Sequence, residues 1–121
     1  AQIAVVRETM KYLGIPYVWA GATPSGGFDC SGLVMYVYAK FGVRFPHGAT
    51  MQARMGDPVA IAEAQPADLV FFGTPSFYHH VGIYIRHGLF IEAPRTGDVV
   101  KVSKLAGRGC TLICRYAIRL P

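Results

Sequence analysis

Three residues of this chain have the types and settings that nucleophilic catalysis needs: Cys30, His80 and Glu92. Cys30 belongs to Asp29-Cys30-Ser31-Gly32, which lies between a glycine-rich turn (Pro24-Ser25-Gly26-Gly27) and an apolar run from Leu33 to Phe41. In that run Leu33, Val34, Val37, Tyr38 and Phe41 recur at the helical period. Gly42 follows where a helix stop is expected. Asp29 suits the N-cap, because its carboxylate can accept from the unpaired N–H groups of the first turn. Cys30 then falls at the first helical position, where the partial positive charge favours the nucleophilic thiolate. The same N–H groups can hold a developing oxyanion. A lone cysteine is more often a small buried hydrophobe, so the assignment depends on a base.

An imidazole is that base, and it needs a third group to orient it. His87 falls in a hairpin tip and is expected in solvent. His47 lies in the loop after the Cys30 helix. His79 and His80 open a strand, and parity separates them. A three-residue loop, Arg86-His87-Gly88, pairs Ile85 with Leu89 and sets Gly82 opposite Glu92. His80, Gly82 and Tyr84 then share a face, with Glu92 diagonal to His80. A two-residue loop, His87-Gly88, sets Ile83 opposite Glu92 and favours His79. Glu92 is the odd residue on an apolar strand (Leu89-Phe90-Ile91-Glu92-Ala93), and burying it unpaired is costly. It either accepts from one nitrogen of His80, leaving the other for Cys30, or sits partly exposed on an edge.

The elements that must position these groups fit one domain, 1–121. At 121 residues the chain buries about two thirds of its unfolded surface without a staple. It is 52% hydrophobic and 16% charged. No apolar run has the ~18–20 residues of a membrane span, and no signal-peptide layout opens the chain. A domain of a longer or processed protein is expected. The net charge of +5 is scattered, with no basic run or aromatic ladder, which gives nucleic acid no support. A diffuse positive field suits a polyanionic polymer. Cys110 and Cys114 are expected as free core thiols, since an i,i+4 pair in a strand is too distant to bridge.

Gln2 to Leu13 reads as a helix with Ile3, Val6, Met10 and Leu13 on its buried face. Residues 15–20 read as extended, 21–27 as a loop, Ala49 to Met55 as a short helix and 59–66 as irregular. Strands are expected at Leu69–Phe72, His80–Arg86, Leu89–Ala93, Val99–Ser103 and Thr111–Ile118, separated by turn signals. Helices followed by a strand meander make an α+β domain.

Five segments in this order resemble the NlpC/P60 family of cell-wall cysteine peptidases. They are Pro16-Tyr17-Val18-Trp19-Ala20-Gly21, Phe28-Asp29-Cys30-Ser31-Gly32-Leu33-Val34, Ala67-Asp68-Leu69-Val70-Phe71-Phe72, His80-Val81-Gly82-Ile83-Tyr84-Ile85 and Ile91-Glu92-Ala93-Pro94-Arg95-Thr96-Gly97. The spacings are 80 − 30 = 50 and 92 − 80 = 12 residues. The resemblance implies a papain-like fold, with N-terminal helices on a mostly antiparallel sheet of about five to six strands. It implies Cys30 as nucleophile, His80 as base and Glu92 as orienting residue, where many members carry His. It implies Tyr17 beside the oxyanion, and Asp29 and Ser31 against the free amine end of a muropeptide stem. Where members often have Pro-Arg-Thr/Ser-Ser ahead of a glutamine, this chain has Pro46-His47-Gly48-Ala49 ahead of Gln52. His47, if protonated, partly replaces the missing guanidinium in substrate binding.

The implied activity is hydrolysis of peptidoglycan stem peptides between D-glutamate and the diamino acid, commonly diaminopimelate. No metal or cofactor is implied; the chain is expected to act as a monomer, outside the cytoplasm. Two other readings stay open: a cell-wall-binding module with a degenerate site, and acyl transfer to an amine. A metal site from His79, His80 and Glu92 is disfavoured, because adjacent strand residues point to opposite faces.

Overall fold

A computed structural model describes residues 1–121. Helix α1 spans Gln2–Met10, β1 Ala22–Thr23, β2 Gly27–Phe28, α2 Cys30–Ala39 and α3 Ala49–Arg54. Strands β3 (Asp57–Val59), β4 (Leu69–Thr74), β5 (Phe77–Arg86), β6 (Leu89–Glu92), β7 (Lys101–Lys104) and β8 (Cys110–Arg115) follow. The architecture is α+β, as expected: helices on a six-stranded antiparallel sheet, with β1 and β2 as a separate short ribbon.

Helix α2 starts where the sequence signals put it. Asp29 is the N-cap, with extended backbone, and its Oδ1 accepts from the Gly32 N–H at 2.7 Å. Leu33, Val34, Val37, Tyr38 and Phe41 are all buried in the main core. Helix α1 differs from expectation. It ends at Met10, and it buries Val5, Val6 and Thr9, while Ile3, Met10 and Leu13 stay exposed. Thr9 donates its hydroxyl to the Val5 carbonyl at 2.7 Å. A polar residue satisfied in this way can face the core, which hydrophobic periodicity does not register.

The sheet order is β3-β8-β4-β5-β6-β7. Only β4 to β7 form the expected meander; β8 returns to insert between β3 and β4. The segment read as irregular begins inside β3, whose Val59 pairs with Ile113, and continues through a 3-10 turn at Ile61–Glu63. Asp68 holds the returning strand by a fork from Arg115, at 2.9 Å to each carboxylate oxygen. Alternate residues of β4 fall in alternate clusters: Leu69 and Phe71 join the large core under the helices, Val70 and Phe72 a smaller one with Tyr84, Phe90 and Ile113. This is the two-residue period of a sheet covered on both faces.

The β5–β6 hairpin corrects the expected loop and keeps the expected register. Arg86, not Ile85, pairs with Leu89, so the turn is the two-residue His87-Gly88. Both residues have positive φ, 50° and 75°, as a tight hairpin of this type requires. Ile85 is bulged out between Tyr84 and Arg86. Beyond the bulge Tyr84 pairs with Phe90 and Ile83 with Ile91. One step further, the same register sets Gly82 opposite Glu92. The single extra residue restores the parity that a two-residue loop alone would have reversed.

Candidate active site

The Cys30 segment is held by close backbone packing. The Asp29 N–H donates to the Gly21 carbonyl at 2.9 Å. A Cβ on Gly32 would lie 1.9 Å from that same carbonyl oxygen, and one on Gly21 would lie 2.4 Å from the Gly27 oxygen. These two glycines let the Tyr17–Gly21 stretch and the ribbon rest directly on the start of α2. Gln52, fully buried on α3, donates to the carbonyls of Ser31 and Pro46, each at 3.0 Å. Cys30 is thereby presented half-buried at the head of α2.

His80 lies on β5 next to a second bulge. Phe72 pairs with His80 and Gly73 with Tyr78, so His79 is the extra residue. A bulge re-aims neighbouring side chains. His79 is exposed and His80 is buried, with its ring 5.3 Å from that of Phe72. His80 Nε2 lies 2.7 Å from Oε1 of Glu92, whose side chain is wholly buried. That leaves Nδ1 as the ring nitrogen available to Cys30. Burial pulls the His80 pKa down, but bonds to Cys30 and Glu92 outweigh it and raise the value to about 9. Burial likewise acts to raise the pKa of Glu92, and is outweighed by His80, Arg108 and Ser103, which hold it far below the usual carboxylate range.

Arg108 was not among the expected residues. It rises from the Gly107-Arg108-Gly109 turn and grips both oxygens of Glu92: Nη1 to Oε2 at 2.7 Å and Nη2 to Oε1 at 2.8 Å. Its guanidinium also lies over the rings of Phe72 and Phe90, at 5.7 and 5.4 Å. The oddness of Glu92 on an apolar strand signalled a partner, but sequence spacing pointed only to His80. The Arg108 contact spans 16 residues and depends on where β7 and β8 end.

Tyr17 sits beside Cys30: burial, then Cys30 and Asp29, raise its hydroxyl pKa. Asp29 does two jobs. Its Oδ1, which caps α2, also lies 2.7 Å from His47 Nε2. His47 is therefore already paired with a protein carboxylate, where the sequence left it free to bind substrate. Ser31 is buried, at 5% exposure. An open cleft of about 450 Å³ runs over Cys30, lined also by Trp19, Asp29, Ser31, His47 and Phe77. Trp19 and Phe77 are 80% and 66% exposed, so two aromatic rings stand at its rim with faces available for stacking. On the other side of His80 a smaller cleft is bounded by Phe72, His79, Arg95 and Arg108.

The NlpC/P60 family model matches residues 14–117. The Gamma-DL-glutamyl hydrolase of Bacillus subtilis is 44% identical over 102 residues, which is 82% of this chain and 25% of that protein. The chain thus spans about a quarter of the length of that relative. The crystal structure of the NlpC/p60 domain of peptidoglycan hydrolase SagA superposes with a TM-score of 0.90 at 36% identity, covering 96% of this chain and 99% of that one. Structures of the Resuscitation Promoting Factor Interacting protein RipA, mutated in turn at a histidine, a cysteine and a glutamate, each superpose with a TM-score of 0.88 at 32% identity. Each covers 98% of this chain and 62% of the RipA chain. With the Cys30 segment, the six-stranded sheet and the cleft all inside the matched span, the chain belongs to the NlpC/P60 family.

Proposed function

We propose that this domain is a cysteine endopeptidase of peptidoglycan stem peptides, cutting between D-glutamate and the diamino acid. The observation that carries the reading is the line from Cys30 through His80 to buried Glu92, with Nε2 and Oε1 2.7 Å apart. The names of the relatives, a glutamyl hydrolase and a peptidoglycan hydrolase, support the substrate class.

The chemistry follows from the groups present. The Cys30 thiolate attacks the scissile carbonyl carbon, and the carbonyl electrons move onto oxygen. The free N–H groups at the head of α2 and the Tyr17 hydroxyl stabilise that oxyanion. His80, protonated, gives its proton to the amide nitrogen as the C–N bond breaks, and the amine leaves. Water then attacks the thioester, His80 takes a proton from it, and the acid and thiolate separate. Glu92 keeps the ring oriented and stabilises its cationic form. Trp19 and Phe77 flank the peptide in the cleft. Because the substrate lies in the cell wall, the domain works outside the cytoplasm, as a monomer.

The test is incubation of the chain and its Cys30→Ala variant with defined muropeptides, followed by mass spectrometry. A cysteine-dependent cut after D-glutamate is expected. Retained activity in the variant overturns the mechanism. Bound but uncut peptides favour a binding module, and a new conjugate favours amine acyl transfer.

A further inference from the structure

We propose that Arg108 is a positioning residue for catalysis: it supplies the counter-charge that allows a glutamate to serve as the buried partner of His80. The inference rests on the hydrolase reading above.

Charge balance within the site points to Arg108. In the reactive form Cys30 carries a negative charge and His80 a positive one. A neutral third residue leaves that pair balanced. Glu92 adds a negative charge with no exposed side-chain surface. A buried charge left uncompensated is costly and pulls protons toward itself. The fork from Arg108 restores a sum of zero within one connected network. The guanidinium is suited to this, because its planar fork matches both carboxylate oxygens and leaves Oε1 still in line with Nε2. Phe72 and Phe90 lie against the guanidinium, with ring centroids 5.7 and 5.4 Å away, and Phe72 also packs on the His80 ring. The same aromatic floor thus carries the base and the counter-ion.

No other cation takes this place. The charged and titratable groups facing His80 are Cys30 from α2, Glu92 from β6 and Arg108 from the β7–β8 turn. Tyr17 and Asp29 lie on the Cys30 side, His79 and Arg95 border the small cleft beside Arg108 without a bond to Glu92, and Lys101, which pairs with Glu92 across β6 and β7, gives its ammonium to Asp98 at 2.8 Å. Removing a positive charge from such a cluster raises the proton affinity of every member.

The test is a double-mutant cycle with pH profiles. Arg108→Met is expected to lower kcat by roughly tenfold, the scale of coupling within one hydrogen-bonded network, and to move both limbs of the kcat/KM profile toward higher pH. Arg108→Lys keeps the charge and loses the fork, so it is expected to restore the pH limbs and only part of kcat. In a Glu92→Gln background Arg108→Met is expected to cost less than about twofold, because the charge it balances is gone. An equal loss in both backgrounds, or a loss confined to KM, overturns the proposal and makes Arg108 a substrate contact or a plain staple. NMR titration of the His80 ring in the unaltered chain and in Arg108→Lys and Arg108→Met is independent of turnover. An upward shift in the Met variant alone supports the proposal even if no stem peptide is cut, which would refute the hydrolase reading instead; an unmoved ring in both refutes the proposal.

Discussion

The carbonyl oxygen of Gly21 stands 1.9 Å from where a Cβ on Gly32 would sit. It also accepts the Asp29 N–H, so the loop carrying Tyr17 and the first turn of α2 move as one piece. Gly32→Ala is expected to push them apart. Overpacking against backbone costs about 1–3 kcal/mol. A fall in Tm together with a drop in kcat that exceeds the change in KM is the expected pattern. An unchanged Tm would show that the loop yields without cost.

The three thiols should react in order. Burial lifts the Cys114 thiol to about 11 and also raises that of Cys110. Cys30 lies at a helix head beside His80, in the half-exposed setting that reactive cysteines share. Iodoacetamide at pH 7 is expected to label Cys30 first, with loss of activity in step, as read by peptide mass spectrometry. First labelling at Cys110 would count against an activated nucleophile.

Glu92→Gln keeps the shape of the side chain and removes its charge. Activity is expected to fall by about 10²-fold, the lower end of what a misadjusted acid–base group costs. The alkaline limb of kcat/KM, expected near pH 9 from His80 in the unaltered chain, is expected to move down, since Glu92 is one of the groups that raises the His80 pKa. A limb that stays near 9 would assign it to another group.

Stability should be lost on both sides of a plateau. His80 is raised from 6.5 to about 9, so its contribution is complete below 6.5 and fades as pH rises through 9. Glu92 is depressed from 4.5, so its contribution is complete above 4.5 and fades as pH falls toward its folded value. The highest Tm is therefore expected between about pH 4.5 and 6.5. Glu92→Gln should flatten the acid side; a slope unchanged by that substitution would place the titrating group elsewhere.

His47→Ala removes the partner of Asp29 while leaving the α2 cap in place. The pair is partly exposed, so stability is expected to change by less than about 1 kcal/mol. Asp29 gains a free lone pair facing the cleft, and peptides with a free amine end are expected to show a lower KM than acetylated ones. Equal KM changes for both would remove Asp29 from amine recognition.

Short-range features were legible in the residues themselves. Asp29 as cap, Cys30 at the first helical position and the buried stripe of α2 depend on neighbours within one or two turns, so local sequence determines them. The tight turn at His87-Gly88 is local too, but its consequence is not. Whether His80 or His79 meets Glu92 depends on the extra residue at Ile85, and a bulge forms only when both flanking registers are fixed by the rest of the sheet. Arg108 reaches Glu92 because β8 turns back beside β4, a placement that strand propensity does not encode. The buried face of α1 includes Thr9, whose hydroxyl is satisfied by its own helix. The residue types of the site were thus present in the sequence. Their protonation, pairing and charge balance came from contacts between distant segments, where burial and electrostatics act on whatever the fold brings together.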